Sequence, residues 1–170
     1  MQWQFYTERG KRVIEIARNE AIDMGHTMVE PEHLLLGVLK EGGGVAGQAL
    51  SELGVDNENL AAHIRDLIGG SEDIIAKPTD LPLSQRMTRA LEIAMSEARK
   101  MGDNYVDTEH ILLGILADEG GLSAKQFKAM GLTPMAVLRQ INEIRENGTG
   151  PKRAGTPQNS SSPQKPKPKV

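Results

Sequence analysis

The chain has 170 residues, 20 Lys+Arg against 23 Asp+Glu, no Cys and only five aromatic residues. Without Cys there are no disulfides, no thiolate metal site and no thiol nucleophile, and the core must be aliphatic. No apolar run approaches the ~20 residues of a membrane span, and Trp3, Gln4 and Glu8 interrupt any leader-like start, so the expected address is the cytoplasm, with no membrane partner. A net charge of −3 gives no general case for nucleic-acid binding.

Three of the five aromatics, Trp3, Phe5 and Tyr6, stand within the first six residues. Two readings stay open for them: an exposed anchor for a partner, or a flap that completes the core. A first predicted helix follows a Thr7 cap, with Val13, Ile14, Ala17, Ala21 and Met24 on one face and Gly25 as its left-handed stop. A second begins at Glu30-Pro31 and runs to Leu39, with Gly37 inside it despite a propensity cost of ~1 kcal/mol. A third carries Val45, Ala49, Leu50 and Leu53 to Gly54, and a fourth starts at Asp56 with Leu60, Ile64 and Leu67 inward.

A shift of 77 positions then repeats the pattern without a gap. Ser84 replaces Thr7 as cap; Ala90, Leu91, Ala94, Ala98 and Met101 form the face, and Gly102 the stop. The second helix recurs from Asp107-Thr108 to Leu116, with Gly114 in the place of Gly37, which predicts close helix–helix approach in both copies. Leu122, Phe127 and Met130 mark the third helix, ending at Gly131. Thr133-Pro134 opens the fourth, with Val137, Ile141 and Ile144 inward. No segment alternates like a strand. The expectation is all-α: two tandem four-helix repeats (5–69 and 83–146) related by a pseudo-two-fold, joined by a linker over 70–82. Residues 147–170 carry five basic residues, five Pro and no acid, leaving 15 basic against 23 acidic residues in the body. The net −3 thus divides into a body of −8 and a segment of +5 that reads as a disordered linker or tail.

Catalytic templates fit poorly. Glu32-His33 and Glu109-His110 lack the second His of a zincin, and adjacent Glu and His diverge by ~100° on a helix. Helix-start hydrogen bonding or packing is the expectation for both His, with no metal. Gly42-Gly43-Gly44-Val45-Ala46-Gly47 lacks the Lys of a phosphate-binding loop and reads as an interhelical turn. No cofactor is expected in this chain.

Met-Gly-x-x-x-Val-x-x-Glu-His-x-Leu-Leu-Gly occurs twice, Met24 to Gly37 and Met101 to Gly114. With the Gly-rich turn and Leu-Gly stop, it resembles the N-terminal domain of Clp AAA+ unfoldases, of the ClpC type with some ClpB-like features, over residues 5 to 146. The resemblance implies a non-enzymatic module that binds adaptor proteins and client proteins for a Clp ATPase ring and its peptidase. ATP would belong only to that parent, and the residues after 146 would tether the module to it. It also implies phosphoarginine recognition through Glu32 and Glu109, with the Thr108 hydroxyl beside the latter. Because Pro31 offers neither hydroxyl nor N–H where Thr108 offers both, any such binding is expected to favour the second copy. Alternatives are a standalone modulator of a Clp complex, and a metal-dependent enzyme built on the Glu-His pairs.

Overall fold

The computed structural model describes residues 2–70 and 80–148. Eight α-helices follow a 3₁₀ turn at Trp3–Phe5: α1 Glu8–Asp23, α2 Pro31–Glu41, α3 Gly44–Glu52, α4 Asn57–Ile68, α5 Gln85–Lys100, α6 Thr108–Leu116, α7 Leu122–Ala129 and α8 Pro134–Asn147. Among the described residues there is no named strand, and the expected all-α duplication is what forms. Its caps are local chemistry. The hydroxyls of Thr7, Ser84 and Thr133 and the carboxylate of Asp56 each accept a backbone N–H in the first turn of the helix that follows. Gly25 and Gly102 stop α1 and α5 at φ 74° and 78°.

Within each repeat the first two helices pack most closely. A Cβ on Gly37 would strike the Val13 carbonyl oxygen, and one on Gly114 would strike that of Ala90. Any side chain there would push the helices apart, so the propensity penalty is offset by backbone contact. The buried core is one aliphatic cluster in which Tyr6 and Phe127 are the buried rings.

The two repeats also exchange their leading segments. Thr7 N–H donates to Val106 O (3.0 Å) and Val106 N–H to Phe5 O (2.7 Å). Ser84 N–H donates to Val29 O (3.0 Å) and Val29 N–H to Pro82 O (2.9 Å). Side chains repeat the exchange: Thr7 Oγ1 donates to Asp107 (2.9 Å) and Ser84 Oγ to Glu30 (2.6 Å). Each bond maps onto its counterpart through the 77-residue shift, which makes the pseudo-two-fold explicit.

Two expected core positions differ. Leu67 is 43% exposed, because Ile68, one turn beyond Ile64, takes the inward place instead. Met130 is also 43% exposed, since α7 ends at Ala129 and Leu132 packs inward after it. The linker expected over 70–82 lies outside the described residues at 71–79, although Leu81 is buried. Of the segment 147–170, residues 149–170 lie outside them, and Asn147 closes α8.

Candidate functional site

The helix starts of α2 and α6 hold the paired glutamates. In both, the third helical residue is a His that accepts the backbone N–H preceding the helix. Glu30 N–H reaches His33 Nδ1 at 2.8 Å, and Asp107 N–H reaches His110 Nδ1 at 2.8 Å. This is the helix-start role expected for them. It also fixes the tautomer: Nδ1 is an acceptor, so the proton sits on Nε2. His33 Nε2 then lies 2.6 Å from His26 Nδ1, and His110 Nε2 lies 2.8 Å from Asp103 Oδ2. Burial, then the neighbouring His26, push His33 down to about 4, against an upward pull from Glu20.

The glutamates themselves are buried, Glu32 to 4% and Glu109 to 0% exposure. Each meets an arginine. Arg86, from the start of α5, forks onto Glu32 at 2.9 and 3.4 Å. The same guanidinium reaches Asp118 at 2.7 and 2.9 Å and Glu30 at 3.5 Å. The hydrogen bond to Glu32 leads the contacts that hold Arg86 above its ordinary range, although its side chain remains 45% exposed. In the second copy Arg145, from α8, meets Glu109 at 2.8 Å and Asp103 at 2.9 and 3.0 Å, with only 21% exposure. Burial pulls Arg145 down, but Asp103 and then Glu109 leave it raised.

The residue before each glutamate also differs. Thr108 is 1% exposed, and its hydroxyl accepts the Ala46 N–H at the start of α3 (3.2 Å). The Gly-rich turn accommodates it. Gly44 has φ 69°, and a Cβ there would lie 2.6 Å from Thr108 Oγ1. One on Gly43 would collide with Arg9, which pairs with Glu41 at 2.7 Å. The turn is therefore a close-packed seat for Arg9 and Thr108.

Asp103, Glu109 and His110 are the one set of three metal-type side chains gathered among the described residues, with ligand atoms within 4.8 Å. The Arg145 guanidinium already answers both carboxylates. His110 would have to surrender its backbone hydrogen bond to turn a lone pair on Nε2 outward, so the donor set fits a cation poorly. The aromatics divide: Tyr6 is 3% exposed and its hydroxyl is pushed up to about 12 by burial, Trp3 packs on it at 5.4 Å between ring centroids, and Phe5 stays 38% exposed. Tyr6 thus completes the core, as the second reading expected, while Phe5 stays on the surface.

Arg86, Arg145, His26 and Asp103 were not expected as site residues. The 77-residue shift sets Arg9 against Arg86, His26 against Asp103 and Ile68 against Arg145, so only Arg86 stood out by recurring. Among the described residues no helix is long and apolar enough to cross a membrane.

Comparison with known proteins accords with this duplicated architecture. The family described as "Clp repeat (R) N-terminal domain" matches residues 5–121. The chain is 34% identical to the Bacillus subtilis (strain 168) negative regulator of genetic competence ClpC/MecB. That match covers 96% of this chain but only 20% of that protein. Its fold matches the N-terminal domain of the chaperone ClpD from Arabidopsis thaliana (TM-score 0.65, 24% identity, 86% of this chain and 97% of that one). It also matches a ClpV N-domain solved in complex with a VipB peptide (TM-score 0.65, 17% identity, 83% and 86%). The chain belongs to the Clp repeat N-terminal domain family.

Proposed function

We propose that this chain is a protein-recognition module that brings adaptors or client proteins to a Clp unfoldase, and that its ligand-facing group is Glu32. The observation that supports this reading most is the Glu32–Arg86 fork. A carboxylate shaped to take a guanidinium is held there by a side chain that is itself 45% exposed, and so can move aside. A phosphoarginine side chain presents the same planar group, with a phosphate that the start of α2 favours through its dipole. The residues before the glutamates favour the second copy, since only Thr108 has a hydroxyl and an N–H. Burial favours the first, because Glu109 is fully enclosed and Thr108 already bonds Ala46. Access comes before bonding, so we assign the exchangeable site to Glu32.

The test is a titration of a phosphoarginine peptide into the wild-type chain and into Glu32→Gln and Glu109→Gln. Glu32→Gln should lose at least tenfold in affinity and Glu109→Gln less. A larger loss from a correctly folded Glu109→Gln overturns the assignment. Capture of adaptor or client proteins by immobilised full chain tests the broader reading, and recovery of none overturns it.

A further inference from the structure

The second repeat lacks a cation that the first one has. In the first, Glu20 of α1 is forked by Arg65 of α4 at 3.0 and 3.2 Å, with Lys40 at 3.7 Å. The 77-residue shift maps Glu20 onto Glu97, but it maps Arg65 onto Asn142 and Lys40 onto Ala117. Among the described residues Glu97 meets Lys100 alone, one turn along α5 at 3.2 Å. A groove of about 520 Å³ opens between α5 and α8 at this point, with Glu97 and Asn142 both on its lining.

We propose that Lys152-Arg153, the basic pair in this chain's own segment beyond α8, docks in that groove and places a cation on Glu97, as Arg65 does on Glu20. The proposal does not depend on what the module recognises. Charge complementarity supports it. The lining carries Glu97 and Glu146 against Lys100, and its other cation, Arg145, is already taken by Asp103 and Glu109. The lining also has an apolar part: Met101 and Leu138 pack against the core and offer a surface to the aliphatic stem of a long basic side chain.

The chain is long enough to reach. Gly148 turns it off α8 at φ 63°. Asn142 stands about 9 Å back along the helix, and the four residues from Gly148 to Lys152 span up to about 14 Å when extended. Covalent attachment supplies the pair at an effective concentration on the order of millimolar. An exposed ion pair too weak to hold a separate peptide is then populated. Docking holds the first residues beyond α8 against the body, so the direction in which the chain leaves it is set by charge and loosened by salt.

The chain has no Cys, so a nitroxide label on Gly155→Cys of the full chain is unique. It reads proximity as broadening of the isotope-labelled backbone amides. Broadening should appear at Glu97, Met101 and Asn142. It should fall at least twofold in Glu97→Gln, in the Lys152→Ala/Arg153→Ala double variant, and in about 0.5 M salt. Asn142→Arg, which copies Arg65 and fills the groove from within, should give the same fall. Glu97→Gln removes the charge with little change of shape, so the proposal stays testable if Asn142→Arg fails to fold. Broadening as strong in a folded Glu97→Gln and in the double variant as in wild type reflects tethering alone and overturns the proposal. Broadening in a mixture of spin-labelled chain with separately isotope-labelled chain assigns the groove to a second copy, and overturns it too.

Discussion

The two repeats share their helices, caps and crossing glycines, yet they use the same helix start differently. In the second, Glu109 is sealed, with Arg145 and Asp103 around it; in the first, Glu32 lies beside a cavity and under a half-exposed Arg86. A duplicated fold can keep one copy of a site as structure and leave the other open, because the packing that defines the repeat lies elsewhere, in the α1–α2 and α5–α6 contacts. Exposure of the arginine separates the two outcomes: Arg145 is 21% exposed over its glutamate and Arg86 45%, and the more exposed guanidinium is the more readily exchanged.

Arginine removal should break the symmetry most. Arg145→Met strips a fully buried carboxylate of its guanidinium and should cost about 3–5 kcal/mol, read from chemical denaturation. Arg86→Met leaves two part-exposed carboxylates, Glu30 and Asp118, and the buried Glu32 beside a cavity, and should cost less than Arg145→Met, about 1–3 kcal/mol. Equal losses would mean that the two sites are energetically alike.

The histidines give a smaller, pH-dependent difference. His33 is held near 4 in the folded protein, below the ordinary histidine value of 6.5. Between those values the unfolded chain binds the extra proton and the folded one does not. Stability therefore falls as pH drops from about 6.5 towards 4, by on the order of 2 kcal/mol. His26→Asp removes the second imidazole and supplies an acceptor for Nε2–H, as Asp103 does for His110, so the decline should flatten. An unchanged slope would mean that burial of His33 alone, and not the neighbouring His26, sets it. Smallest are the swapped caps. Thr7→Ala and Ser84→Ala should each cost about 1 kcal/mol, and by similar amounts, since each hydroxyl caps a helix and donates across to the other repeat. A marked inequality would show that the exchange is less symmetric in energy than in geometry.

Much of the fold is legible in the residues because its signals are local and occur twice. Thr7, Ser84, Asp56 and Thr133 announce helix starts through their own hydrogen-bonding chemistry. Gly37 and Gly114 gain meaning by recurring where a helix former would otherwise stand. Glu32 and Glu109 are legible as positions, but their environments are not. What surrounds Glu109 depends on Arg145, which is 36 residues away and has Ile68 as its counterpart, so repetition hides it. Leu67 fails for a similar reason: spacing of three and of four both satisfy a helical face, and only packing decides that Ile68 turns inward.

The exchange of leading segments also sets an order in time. Thr7 has a partner 100 residues later, at Asp107, so a chain emerging from the ribosome can pack α1 on α2 but cannot close the bonds of the segment ahead of α1 until the second repeat has been made. The Thr7 N–H must wait for the Val106 carbonyl to arrive. Completion of either half is thus tied to synthesis of the other.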